Sequence, residues 1–429
     1  MQNQTLSDLV SDDGTRVSRR VFGDETLYRE ELRRVFHRSW LYLAHESEIP
    51  NVGDYVSATM GETPVIVTRG KGNKVHALLN ACRHRGVAVC RANRGNTRAF
   101  VCPYHAWTYG IDGRFMGAPF RKEAYPDDFD NKDWGLVPVA KVASYCGLIF
   151  GTFDEEAESL DDHLGDMRYY LDVTFDRRAG GVEILGPPQK WILESNWKLP
   201  AENQVGDNYH AGHLHGTFVS QPAYDEILDI AQNVCPKRGH GLGLRIMPEG
   251  TAPSSMFPGC EGVPGASPAV REYYEEVYAE TQERLGELRS RMRPLSHTVF
   301  PNFSLLHPTY TVRVSHPRGS YRAEIWSWAY ADKDAPDEVK DQIRKGYMLT
   351  FGPSGTLEKE DGEAWQQQVV GNKMEVANDY PYYYGMGVGT ERRDEHMPGL
   401  IGPALSEHPQ RNFYLAWREA MERGGALAQ

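Results

Sequence analysis

The sequence predicts an α+β protein: a small all-β domain inserted early in a larger domain whose antiparallel sheet is flanked by helices. Three observations carry this. From about Trp40 to Phe153 the chain is a series of short β-like runs, TPVIVTR, VHALLN, AFVCPY and GLIFGTF, separated by Gly, Pro and Asn. On either side the apolar spacing becomes helical, over 25–37 (Leu27, Leu32, Val35, Phe36) and over 268–292 (Val270, Tyr274, Val277, Leu285, Leu288). The later segments YTVRVSH and YRAEIWSWAYA alternate like antiparallel strands. The predicted domains are 1–39, a helical N-terminal part of the larger domain; 40–157, the all-β domain; and 158–429, the remainder of the larger domain.

The intervening elements follow in order. The acidic stretch 154–162 reads as a solvated boundary segment. WILESNWKL (191–199) reads as a strand, and 200–215 as a helix with Pro200 tolerated in its first turn. The glycine runs at 239–243 and 385–389 lack the dinucleotide fingerprint and read as loops, so NADH is not expected to bind this chain directly. A helix near 409–423 closes the chain.

Composition excludes several classes. Hydrophobic residues make up 40% and charged residues 25% of the 429, which is ordinary globular usage. The net charge of −12 disfavours nucleic acid and anionic membranes as partners. No run approaches the roughly 20 apolar residues of a membrane span, and the first twenty residues lack the apolar core of a secretory signal. Six cysteines are too few for a disulfide scaffold in a chain of this length, which leaves free thiols or metal ligands and a cytoplasmic protein.

Two constellations carry chemistry. The first is ACRHRG (81–86) followed by CPYHAW (102–107). Cys82 and His84 are one residue apart, Cys102 and His105 are two apart, and 17 residues separate the pairs. Such a set suits a tetrahedral zinc or a two-iron, two-sulfide cluster with a cysteine end and a histidine end. Each loop supplies one ligand of each kind, whereas zinc modules usually pair like with like along the chain. Arg83, Arg85, Arg91, Arg94 and Arg98 crowd this stretch without an acidic residue from 82 to 102. They read either as a solvated basic face or as a surface that steers an acidic electron donor. Cys90 reads as a small buried thiol, and Cys146, Cys235 and Cys260 have no assigned role.

This first stretch resembles a Rieske iron–sulfur domain over about residues 40–155. All four ligand positions and Trp107 match, while Ala106 stands where the family commonly has Gly. The resemblance implies that Cys82, His84, Cys102 and His105 hold a [2Fe-2S] cluster.

The second constellation lies in 202–215, where His210, His213 and His215 follow Asp207. Two imidazoles and a carboxylate hold Fe(II) with positions left open for oxygen and substrate; a zinc hydrolase uses similar ligands. On an ideal helix His210 and His213 share a face, whereas His210 and His215 need a distortion to meet. The pattern Asn196-Trp197-Lys198, Glu202-Asn203, Gly206-Asp207-x-Tyr209-His210-x4-His215 resembles the catalytic domain of ring-hydroxylating oxygenase large subunits, and the resemblance runs to SEHPQRNFYLAW (406–417). It implies iron ligands His210, His215 and, from the pair Glu360-Asp361, Asp361, with Glu360 its local rival. Glu358 and Glu363 read as solvated charges. Asp207 is implied to link His210 to the cluster histidine, His105 in this numbering, of a neighbouring subunit. Asn203, Gln204 and Phe351 fall at positions bordering the substrate pocket. Gln204, where relatives carry a bulky apolar residue, points to an aromatic substrate bearing an oxygen or acid group.

The resemblance further implies cofactors: the Rieske cluster, mononuclear Fe(II), O2, and NAD(P)H acting only through a separate reductase, with or without a ferredoxin. It implies an α3β3 assembly with a small β subunit, or an α3 trimer. The expected reaction converts an aromatic ring to a cis-dihydrodiol. The alternative is a Rieske monooxygenase that hydroxylates or demethylates.

Overall fold

The computed structural model describes residues 6–216, 228, 230–237, 239–251 and 267–423; Cys260 lies outside them. The chain divides into two compact units, Phe36–Leu160 and Met1–Val35 with Asp161–Gln429.

The smaller unit is built from three antiparallel sheets. Val75–Leu79, Thr63–Arg69, Asp54–Met60 and Arg94–Asn96 form one, and Ala99–Val101, Thr108–Gly110 and Phe115–Gly117 a second. Lys141–Tyr145, Leu148–Thr152 and Leu41–His45 form the third. Thr63–Arg69, Val75–Leu79, Ala99–Val101 and Leu148–Thr152 fall within the β-like runs of the sequence. Their core packs Ile66, Phe100, Trp107, Tyr109 and Phe115 around Cys82 and Cys102.

The larger unit is organised on a nine-stranded antiparallel sheet. Its order runs from Val182–Ile184 and Gln189–Leu193, both paired with Ala323–Asp332, through Thr311–Pro317, Phe303–Leu306, Met292–Val299, Gly241–Ile246 and Ala231–Cys235 to Leu400–Pro403. Among the described residues no helix is long and apolar enough to cross a membrane.

Three readings from the sequence are corrected here. The strand expected over 191–199 ends at Leu193, because Asn196 Oδ1 accepts from the Lys198 amide at 3.0 Å and starts a helix, Lys198–Asn203. The helix expected over 200–215 is two short pieces, Lys198–Asn203 and Ala211–Leu214. Between them Gly206 takes φ +131, and a Cβ there would stand 3.0 Å from Asn233 Oδ1 and from the backbone of Leu242. Only glycine lets the segment lie on the sheet there. The glycine run at 239–243 is not wholly a loop, since Gly241–Ile246 is a strand. A Cβ on Gly241 would come within 2.7 Å of Val205 O, so this glycine too admits the 204–208 segment.

The N-terminal segment belongs to the larger unit through one buried knot. The Glu25–Glu31 helix, capped by Asp24 on the amides of Thr26 and Leu27, ends in a wider π-turn, Leu32–Phe36. Glu31, 1% exposed, accepts from Lys198 Nζ, from Trp197 Nε1 at 2.9 Å and from Trp417 Nε1 at 2.8 Å. Removing one partner of such a pair strands a buried charge, at a cost of roughly 3–5 kcal/mol.

Candidate metal centres

In the smaller unit the two Cys/His loops share one backbone design. The Cys82 amide donates to Val87 O and the Gly86 amide to Cys82 O; the Cys102 amide donates to Trp107 O and the Ala106 amide to Cys102 O. Each loop turns on a left-handed residue, Gly86 (φ +75) and Ala106 (φ +55). Ala106 therefore carries a backbone conformation that glycine adopts without cost.

The side chains expected to be ligands converge. The rings of His84 and His105 lie 4.6 Å apart, and Trp107 stacks on His84 at 5.0 Å. Cys82 and Cys102 are buried while both histidines are half-exposed, so the thiolate end faces the core and the imidazole end faces outward. His84 Nδ1 is buried without a hydrogen-bond partner, as a metal-directed nitrogen requires. Tyr109, which was not foreseen, touches the ligand set. Its hydroxyl accepts from the Arg83 amide at 3.0 Å, which leaves its own proton for Cys82 Sγ at 3.1 Å. Burial, followed by the contact with Cys82, raises its pKa and keeps that proton in place. The five arginines are all exposed. Cys90 is a buried thiol, with its amide held by Asn80 Oδ1 at 3.0 Å.

In the larger unit His210 and His215 bracket the one-turn helix Ala211–Leu214, at its N-cap and C-cap positions. His210 keeps helical backbone angles, while His215 departs from them at φ −101, ψ 26. His210 Nε2 and His215 Nε2 lie 3.3 Å apart. Asp361 Oδ1, on the Thr356–Asn372 helix, is 3.5 Å from the first and 3.3 Å from the second. These atoms outline a nearly equilateral face that suits bonds of about 2 Å to one cation. His213 is exposed and stands outside this group.

The chemistry of this donor set also fits a cation. Asp361 is 1% exposed, and neither carboxylate oxygen has a hydrogen-bond partner. Burial opposes its charge, yet the two imidazoles hold the carboxyl far below the ordinary range. Burial likewise opposes a charged His210, but the carboxylates of Asp207 and Asp361 together drive its pKa well above the usual value. The cluster thus demands positive charge at its centre, which a divalent ion supplies.

Around the face, Glu360 Oε2 takes the far nitrogen of His215, Nδ1, at 2.8 Å. The backbone carbonyl of Asp207 accepts from His210 Nδ1, and Asp207 Oδ1 lies 3.5 Å from the same nitrogen. Gln204 is buried and donates to Asn203 Oδ1 at 2.8 Å, while Phe351 packs with Leu306 and Leu357 one helical turn before Asp361. Glu363 is exposed. Glu358 is not the solvated charge read from the sequence: it is 3% exposed and paired with Arg313. Its spacing signalled this, since Glu358 shares the buried helix face of Leu357, Asp361 and Trp365.

Two family models match the chain. Residues 39–143 match the family described as Rieske [2Fe-2S] domain, and residues 160–423 match that described as ring hydroxylating alpha subunit (catalytic domain). The chain is 36% identical over 433 residues to the biphenyl 2,3-dioxygenase subunit alpha of Rhodococcus jostii (strain RHA1), covering 97% of this chain and 91% of the relative. It is 37% identical over 422 residues to the large oxygenase component of the naphthalene 1,2-dioxygenase system of Pseudomonas aeruginosa, covering 97% and 93%. The solved naphthalene 1,2-dioxygenase from Rhodococcus sp. bound to indole superimposes with a TM-score of 0.87 at 36% identity, covering 99% and 98%.

Proposed function

The chain belongs to the alpha subunits of the Rieske ring-hydroxylating dioxygenases, and from that premise we infer that it is a terminal oxygenase that converts an aromatic ring to a cis-dihydrodiol. The reaction consumes the arene, O2, two electrons and two protons. The electrons come from NAD(P)H through a separate reductase, with or without a ferredoxin. The observation that carries this reading is the pairing, in one chain, of the two-loop Cys/His set with the His210–His215–Asp361 face.

The ligand assignments are part of the proposal. Cys82, His84, Cys102 and His105 hold the cluster; His210, His215 and Asp361 hold Fe(II). When bound, the cluster supplies single electrons and the iron supplies open positions for O2 beside the substrate. The protein's own contribution is orientation. Glu360 and the Asp207 carbonyl accept the Nδ1 protons of His215 and His210, so each ring turns Nε2 inward. Asp207 is the group through which electrons from a neighbouring subunit's cluster reach His210, in an α3 or α3β3 assembly. The proposed domains are 1–39 and 158–429 for catalysis and 40–157 for the cluster.

Asn203, Gln204 and Phe351 border the substrate. The buried amide of Gln204, which donates to Asn203 Oδ1, favours an aromatic ring carrying an oxygen or acid substituent. The exposed arginines near the cluster loops suit an acidic donor. A donor fed by NAD(P)H places the system in the cytoplasm.

The test is turnover with a reconstituted donor chain, ¹⁸O2 and an arene panel. A cis-diol carrying two labelled oxygens supports dihydroxylation. A phenol carrying one label, or a demethylated product with the label in the released formaldehyde, overturns it in favour of the monooxygenase.

A further inference from the structure

Arg313 lies on the Thr311–Pro317 strand, opposite Ser327 of the Ala323–Asp332 strand. It is 1% exposed. Its guanidinium grips Glu358 with two parallel bonds, Nη1 to Oε2 at 2.8 Å and Nη2 to Oε1 at 3.2 Å. Among the described residues Glu358 is the one carboxylate within ion-pair reach of it. Trp191 Nε1, from the next strand pair, donates to Glu358 Oε1 at 3.2 Å. The guanidinium carbon lies 5.9 Å from the Trp191 ring and 5.7 Å from the Trp365 ring.

Glu358 and Trp365 stand three residues before and four residues after Asp361, on the same buried helix face. A single cation on the sheet thus holds the helical turns on both sides of Asp361. Asp361 itself has no hydrogen bond that would fix its carboxylate. Its distance from the two histidines is therefore set by where its helix is pinned. A fork of five fixed donors pins a carboxylate in direction as well as distance, which a lysine does not.

We propose that Arg313, through its forked pair with Glu358, is the positioning residue that sets Asp361 at coordinating distance from His210 and His215. This rests on the reading of Asp361 as an iron ligand.

The experiment uses the full chain with its cluster intact and the mononuclear iron removed by chelation. Fe(II) is titrated back into the parent, Asp361→Ala, Arg313→Lys and the double variant Arg313→Met/Glu358→Met. The double variant removes both charges together, a change that buried pairs often tolerate without loss of stability. Thermal midpoints are measured alongside, and the nitric oxide adduct of the iron is recorded by electron paramagnetic resonance. The expected result is a dissociation constant weakened by roughly 10–100-fold in Arg313→Lys and in the double variant. An altered adduct spectrum should accompany it, with the cluster spectrum unchanged and the midpoint of at least the double variant near that of the parent. Parental affinity and adduct spectrum in either folded variant overturn the proposal. If Asp361→Ala also binds iron like the parent, the ligand assignment fails first.

Discussion

Glu360 and Asp361, adjacent in sequence, take opposite ends of one imidazole: Glu360 Oε2 stands 2.8 Å from His215 Nδ1, and Asp361 Oδ1 3.3 Å from His215 Nε2. The first fixes which nitrogen carries the proton, and the second faces the lone pair so exposed. Glu360→Gln should therefore weaken Fe(II) binding by about 10-fold or more while the cluster's visible spectrum stays parental. Unchanged iron affinity would show that His215 needs no such partner.

The three converging residues and the exposed His213 make a second test. His210→Ala, His215→Ala and Asp361→Ala should each lose mononuclear iron and keep the cluster spectrum, whereas His213→Ala should retain iron. Iron and acid-labile sulfide per chain in the four variants decide this. An iron-free His213→Ala beside an iron-replete His215→Ala would reverse the assignment.

Asp207→Asn keeps the backbone carbonyl that binds His210 and removes only the carboxylate charge. Oxygenation with donor should collapse while iron content and cluster reduction by dithionite persist. Near-normal turnover would remove Asp207 from the electron path.

With Cys82 as a cluster ligand, as proposed, the Tyr109 hydroxyl donates toward a sulfur whose negative charge grows on reduction, so it favours the reduced cluster. Tyr109→Phe should lower the potential. A bond worth about 1 kcal/mol corresponds to roughly 40 mV for one electron. Redox titration followed by circular dichroism measures this, and an unmoved or raised midpoint would contradict the assigned direction of that hydrogen bond.

Glu202 is buried beside Tyr384, whose hydroxyl donates to it at 3.1 Å. Burial foremost, with Asp207 and Glu407 adding to it, pushes its pKa from 4.5 up to about 8. Between those values the native state keeps a proton that the unfolded chain has lost, so stability falls as pH rises through this window. The slope approaches about 1.4 kcal/mol per pH unit for one proton. Glu202→Gln, neutral at all pH, should flatten the decline in thermal midpoint between pH 5 and 8. Parallel curves for the two proteins would show that Glu202 titrates normally.

Much of the fold was legible because short-range chemistry wrote it. Thr63–Arg69 is rich in β-branched residues and Ala323–Asp332 in aromatic ones, and the Cys/His loops declare themselves by their spacing. Family resemblance, rather than helical geometry, selected His215 over His213. What stayed hidden depends on partners far along the chain. The break at Gly206 is enforced by Asn233 and Leu242. Glu358 looked solvated among neighbouring acids because its counter-ion, Arg313, lies 45 residues away on a strand. Tyr109 gave no sign of its role, since a tyrosine in a β run is ordinarily core.

The knot at Glu31 has a consequence for synthesis. Its donors come from residues 197, 198 and 417, so the larger unit cannot close until the last helix has emerged. Residues 36–160 are contiguous and are complete long before that, and domains fold as units as the chain appears. Cluster loading can thus begin on a nascent chain whose iron site does not yet exist. A product cut short before Trp417 would carry a finished iron–sulfur unit on an unfinished body.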